Sequence, residues 1–184
     1  MMTAMTMDPA IGLLLVAAIA LLFATAGVHK LRDLSRFEEI FSAYGLLGAL
    51  TRWHLSWVIP VLELAVAAGL FLDASRPYAA VVGILLMAAY GTAIAINLGR
   101  GRRDLACGCG GPDDRRPIAP WMVWRNFVIG LALASILAPW TTRSLNFTDG
   151  VTVLFGLLTL ALIYLCVDQL MSYLQRSAAY RGSR

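Results

Sequence analysis

The sequence predicts an all-α integral membrane protein: one domain, 1–184, of five spanning helices with a sixth helix lying at the membrane surface. Three observations carry that prediction. Charged residues make up only 14% of the 184, against roughly 25% in a soluble globular domain. Hydrophobic residues reach 59%, and mean hydropathy is +0.72. Apolar runs close to the roughly 20 residues that cross a bilayer as a helix recur along the chain.

The first span is expected at 11–28, where only Gly12, Thr25 and Gly27 interrupt the apolar run. Ala17, Ala20, Ala24 and Gly27 recur at three- and four-residue spacing, as a close helix–helix face requires. The stretch before Ile11 holds no Lys or Arg, so a cleaved leader is not expected despite Ala24-Thr25-Ala26. His29-Lys30-Leu31-Arg32 then reads as a polar exit. Phe37, Ile40, Phe41, Tyr44 and Leu47 recur at helical spacing beside Arg36, Glu38 and Glu39. That pattern is too charged to span and predicts an interfacial amphipathic helix over about 36–48.

The second span is expected at 54–72 and the third at 78–98, joined by a tight loop. A charged loop follows at 99–119. The fourth span is expected at 120–138, the fifth at 151–174, and the last ten residues as a mobile basic tail. Neither an internal repeat nor a second domain is visible. Twelve Lys and Arg fall at one end of this arrangement, from Lys30, Arg32, Arg36 and Arg52, the 99–119 loop and the C-terminal tail. Arg76 and Arg143 fall at the other, so the positive-inside tendency places the N-terminus outside and the 99–119 loop in the cytoplasm. Anionic lipid, not nucleic acid, is the partner this basic charge implies, because no basic and aromatic residues interleave as in a nucleic-acid groove.

The 99–119 loop carries the chemistry. In Asp104-Leu105-Ala106-Cys107-Gly108-Cys109-Gly110-Gly111, two of the three cysteines stand one residue apart among glycines. A bridge between them needs a tight backbone, which glycine permits. A strained bridge exchanges readily, and nearby arginines favour the thiolate that performs the exchange. Cys107 and Cys109 are therefore candidate redox residues of a thiol–disulfide oxidoreductase, with a thioredoxin-like or exported protein as partner. A quinone is a chemically reasonable electron acceptor in a membrane, though no residue of the sequence identifies one. Zinc is the competing reading, but Cys107, Cys109 and His29 leave a fourth ligand missing. No metal site is expected.

Glu63 and Arg125 are ionisable groups inside apolar spans, and such groups are functional candidates by default. Counted from the same face they reach similar depth, which predicts that they pair across the bundle. Asn97, Asn126 and His29 share that half of the membrane. His29 and Lys30 read equally as interface anchors, Asp168 as solvated near the inner end of the fifth span, and Cys166 as a buried, inert thiol.

Gly27-Val28-His29-Lys30-Leu31 with Phe37, Tyr44-Gly45-Leu46-Leu47, Pro60-Val61-Leu62-Glu63-Leu64, Cys107-Gly108-Cys109-Gly110 and Trp124-Arg125-Asn126 stand in an order and spacing that resemble the methylamine utilisation protein MauE family. That family is related to the DoxX-like membrane proteins. The resemblance covers about 10–138 and implies a DoxX-like four-helix core, to which the fifth C-terminal span is an addition. It implies that Cys107 and Cys109 are a redox pair and that Glu63, Arg125, His29 and Lys30 form a polar signature. It also implies a role in forming or maintaining disulfides in exported partners, originally the small subunit of methylamine dehydrogenase. The bulky residue usual after Cys-Gly-Cys is replaced here by Gly110-Gly111. Two other functional classes remain open: a non-catalytic scaffold subunit of a redox complex, and a small transporter gated by Glu63.

Overall fold

A computed structural model describes residues 6–46, 49–108 and 116–182. Cys109, Gly110, Gly111 and Arg115 of the cysteine loop lie outside the described residues, as do Leu47 and Gly48. The described chain is all-helical: α1 (Pro9–Arg32), α2 (Leu34–Ala43), α3 (Ala49–Gly69), α4 (Arg76–Gly99), α5 (Pro120–Ile136) and α6 (Phe147–Gly182). Three of them, α1, α4 and Phe147–Gln175 of α6, are long and apolar enough to cross a membrane. α5 and Ser56–Gly69 of α3 are shorter apolar helices.

Local chemistry sets the boundaries. Asp8 caps α1 by accepting from the Ala10 amide at 2.9 Å, and Pro9 opens the first turn, where its missing N–H costs nothing. The polar exit of the sequence is the last turn of this helix, so Lys30 faces into the protein. Asp33 ends α1 and caps α2 through the Arg36 amide. α2 is shorter than expected, stopping at Ala43 ahead of Gly45, which has φ +63°. The expected mobile tail is instead helical to Gly182. No proline follows Pro139 to stop α6.

Packing follows the small residues. Helices α1, α3, α4 and α5 touch in sequence around a ring that α1 and α5 close, and α6 lies outside against α1. A Cβ added at Gly27 would stand 3.0 Å from the Pro60 carbonyl and from Leu64, so glycine lets α1 and α3 approach. Ala20 is buried in the same face, whereas Ala17 and Ala24 are partly buried. One apolar core, built on Val16, Phe23, Val66, Leu70, Ala80 and Leu133, fills the ring. A second, built on Tyr44, Ile94, Leu105, Ile118 and Met122, sits under the cysteine loop.

The ends of the bundle differ. At one, Met7 exchanges backbone hydrogen bonds with Pro139 and Thr141 at 2.9 Å each. Arg143 there donates to both Asp8 and Asp149 at 2.7–2.9 Å. At the other, the neck of the cysteine loop is closed by Ile118 N–H to the Leu105 carbonyl (2.8 Å) and Cys107 N–H to the Arg116 carbonyl (3.2 Å). Arg102 pins the same loop to the end of α2 by donating to the Ala43 carbonyl at 2.7 Å.

Candidate functional site

The site lies where α1, α3, α4, α5 and α6 meet beneath that neck. Glu63 of α3 is 1% exposed, and a lone carboxylate at such depth would be prohibitively costly. Lys30 of α1 donates to its Oε1 at 2.5 Å and the Tyr90 hydroxyl of α4 donates to the same oxygen at 2.8 Å. The Lys30 ammonium also stands 5.3 Å from the Tyr90 ring centroid and 5.5 Å from that of Phe37, distances at which a cation is drawn to an aromatic face. Glu63 therefore pairs with Lys30, and the expected Glu63–Arg125 pair does not form. Both line one polar cavity, but the two side chains take different partners around the ring.

Arg125 of α5 turns elsewhere. Its Nη1 is 3.8 Å from Asp168 Oδ1 of α6, and its Nη2 donates to Cys107 Sγ at 3.7 Å. Arg116, at the neck of the loop, pairs with Asp168 as well and donates to Ser172 at 2.9 Å. Asp168 is thus a buried bridge that ties α6 to the loop, not a solvated end residue. Cys107 is not a free thiol. Cys166 is free and exposed on α6, which corrects the expectation of a buried thiol.

These residues border a cavity of about 330 Å³ whose walls include His29, Lys30, Glu63, Arg125, Asn126 and Asp168. Three buried polar atoms around it have no protein partner: His29 Nδ1, Glu63 Oε2 and Asn126 Nδ2. Buried polar atoms are nearly always satisfied, so this cavity suits water or a small polar guest. Asn97 does not join it; its amide donates to the Ala93 carbonyl and accepts from Arg102. Among the described residues no group of three or more His, Cys, Asp and Glu is gathered to hold a metal.

Residues 8–141 match the family model described as methylamine utilisation protein MauE. The chain belongs to the MauE family. It is 36% identical over 155 residues to the methylamine utilization protein MauE of Paracoccus denitrificans, covering 83% of this chain and 82% of that one. The Methylophilus methylotrophus protein of the same name is 29% identical over 174 residues, 94% and 92% of the two chains. The Methylorubrum extorquens protein is 32% identical over 140 residues, 76% and 74%. No solved structure matches.

Within this MauE chain the structure gathers His29, Lys30, Glu63, Arg125 and Cys107 at one end of the bundle, with Cys109 outside the described residues. Sequence reading missed Tyr90, Arg116 and Asp168 as members of the cluster. Tyr90 gave no signal, being one aromatic in an apolar span. Asp168 did, because an acidic residue in an apolar helix calls for a partner.

Proposed function

We propose that this MauE-family protein is a membrane thiol–disulfide relay whose redox pair is Cys107 and Cys109, serving the maturation of a partner protein in methylamine utilisation. The observation that carries the reading is the setting of Cys107. Unlike Cys166 it is not a free thiol, and a guanidinium lies 3.7 Å from its sulfur. In the proposed cycle, a partner thiolate attacks one sulfur of the loop bridge, forming a mixed disulfide and releasing the other sulfur as thiolate. A second partner thiolate then displaces the loop, leaving an oxidised partner and a loop dithiol. Arg125 favours negative charge on Cys107, so Cys107 is the sulfur released and Cys109 the one attacked. Lys30, Glu63 and His29 act behind it as the buried polar store through which protons leave or arrive.

The reading takes five spans, with the shorter apolar helices α3 and α5 crossing beside the three long ones, and a DoxX-like four-helix core of α1, α3, α4 and α5. Sidedness sets the partner. The twelve Lys and Arg at the loop end favour the cytoplasmic face and a thioredoxin-like partner; an external loop would serve an exported protein directly. Replacing Cys107 and Cys109 together by Ser, in a strain that depends on this chain, is expected to abolish maturation of the partner while the protein still accumulates in the membrane. Full maturation in that strain would replace the relay with a scaffold that holds its partner without redox chemistry.

A further inference from the structure

A second cavity, distinct in chemistry from the polar one, lies on the other side of Lys30. It measures about 380 Å³, within the size range of small-molecule sites. It is walled by Phe41, Ile59, Leu62, Ala93 and Ile94 and reaches Cys107 and Gly108. Its polar side chains are few: Lys30 and Tyr90, which stand together, with Tyr44 and Cys107. Its wall also includes Leu62 and Ala89, both exposed on the outer surface of α3 and α4, where hydrocarbon would lie. The Lys30 ammonium has three donors, and Glu63 takes one of them.

We propose that this cavity binds a lipid-soluble quinone, ring toward Cys107 and Lys30 and tail toward the α3–α4 surface, as the electron acceptor that restores the loop disulfide. The proposal rests on the relay reading and supplies what that reading lacks, an oxidant. The pattern on the page selects this occupant. A charged, water-soluble acceptor would lose its hydration against apolar walls. An acyl chain would leave the ammonium donors facing hydrocarbon. A ring bearing carbonyl oxygens on an apolar tail satisfies both ends. The step balances: the Cys107–Cys109 dithiol forms its S–S bond and releases two electrons and two protons. The quinone takes both pairs, its two carbonyl oxygens becoming the hydroxyls of the quinol.

The test uses the full chain in phospholipid nanodiscs, with a benzoquinone bearing a decyl tail and its azido derivative as a photolabel. Label is expected on α2, α3 and α4 peptides that wall the cavity, also when Cys107 and Cys109 are both Ser. Reduced wild type is expected to lose two thiols per quinone reduced. Ala93→Trp, which fills the cavity, is expected to raise the quinone concentration for half-maximal rate at least tenfold. Ala89→Phe is the second variant, and the thermal midpoint of each checks that it has folded. Label confined to the outer face of α6 or spread evenly, equal half-saturation in wild type and both filled variants, or equal displacement of label by a free fatty acid would overturn the assignment. Reoxidation by glutathione disulfide but not by the quinone would sink the acceptor and leave the relay standing. Cavity labelling with no thiol loss under either oxidant would sink both.

Discussion

Residue by residue, the cluster is decided by who neutralises whom. Glu63 announces itself in the sequence as a carboxylate within an apolar run. Its partner does not, because Lys30 sits where the hydrophobic run ends and resembles a surface anchor. Only the extension of α1 to Arg32 turns that ammonium inward. A buried pair broken on one side leaves an uncompensated charge, at roughly 3–5 kcal/mol. Lys30→Met and Glu63→Leu are each expected to destabilise strongly, while the two together recover most of the loss. Reversible unfolding in mixed micelles checks this, and strictly additive losses would contradict the pairing. Gly108 is the second decisive residue. Its φ is +69°, and a Cβ there would meet Ile40 Cγ2 at 3.2 Å. Gly108→Ala is expected to cost about 1–2 kcal/mol for the left-handed backbone alone, lowering the thermal midpoint by ~2–8 °C in a chain of this size.

At the scale of elements, hydropathy and helical spacing made the six helices legible, because membrane helices must satisfy their own backbone and so declare themselves as long apolar runs. Their ends were less legible. α2 stops early because Gly45 takes the left-handed conformation, and α6 continues because polarity alone does not end a helix. The clamp of Arg143 with Asp8 and Asp149 joins residues more than a hundred positions apart and left no sequence signal. Hydrogen bonding to Arg143 holds the Asp8 carboxyl below its ordinary value of 3.8, and the two carboxylates hold Arg143 charged. A carboxyl depressed on folding stabilises above its unfolded value and loses that contribution as pH falls through the folded one. Between pH 8 and 5 the clamp is therefore expected to contribute a constant amount, failing only below about pH 4. Thermal midpoints followed against pH check it: Arg143→Ala should lower the midpoint throughout the neutral range and flatten the acid-side fall. An unchanged acid limb in that variant would remove Asp8 from the account.

For the whole molecule, the described helices form a four-membered ring with α6 strapped to its side through Asp168. One end of the ring is tied by backbone bonds and a charge clamp. The other holds a polar cavity and an apolar cavity lined by Cys107, with Lys30 and Tyr90 bordering both. The sequence marked the cysteines but not the two cavities, which arise only when α1, α3, α4 and α5 converge. The central claim is that the loop sulfurs cycle between joined and separate. An impermeant thiol reagent applied to oriented vesicles carrying a Cys166→Ser background tests it most directly. Label on Cys107 and Cys109 is predicted to appear only after reduction, from one side of the membrane, and to vanish again on reoxidation. Equal labelling before and after reduction would contradict the relay.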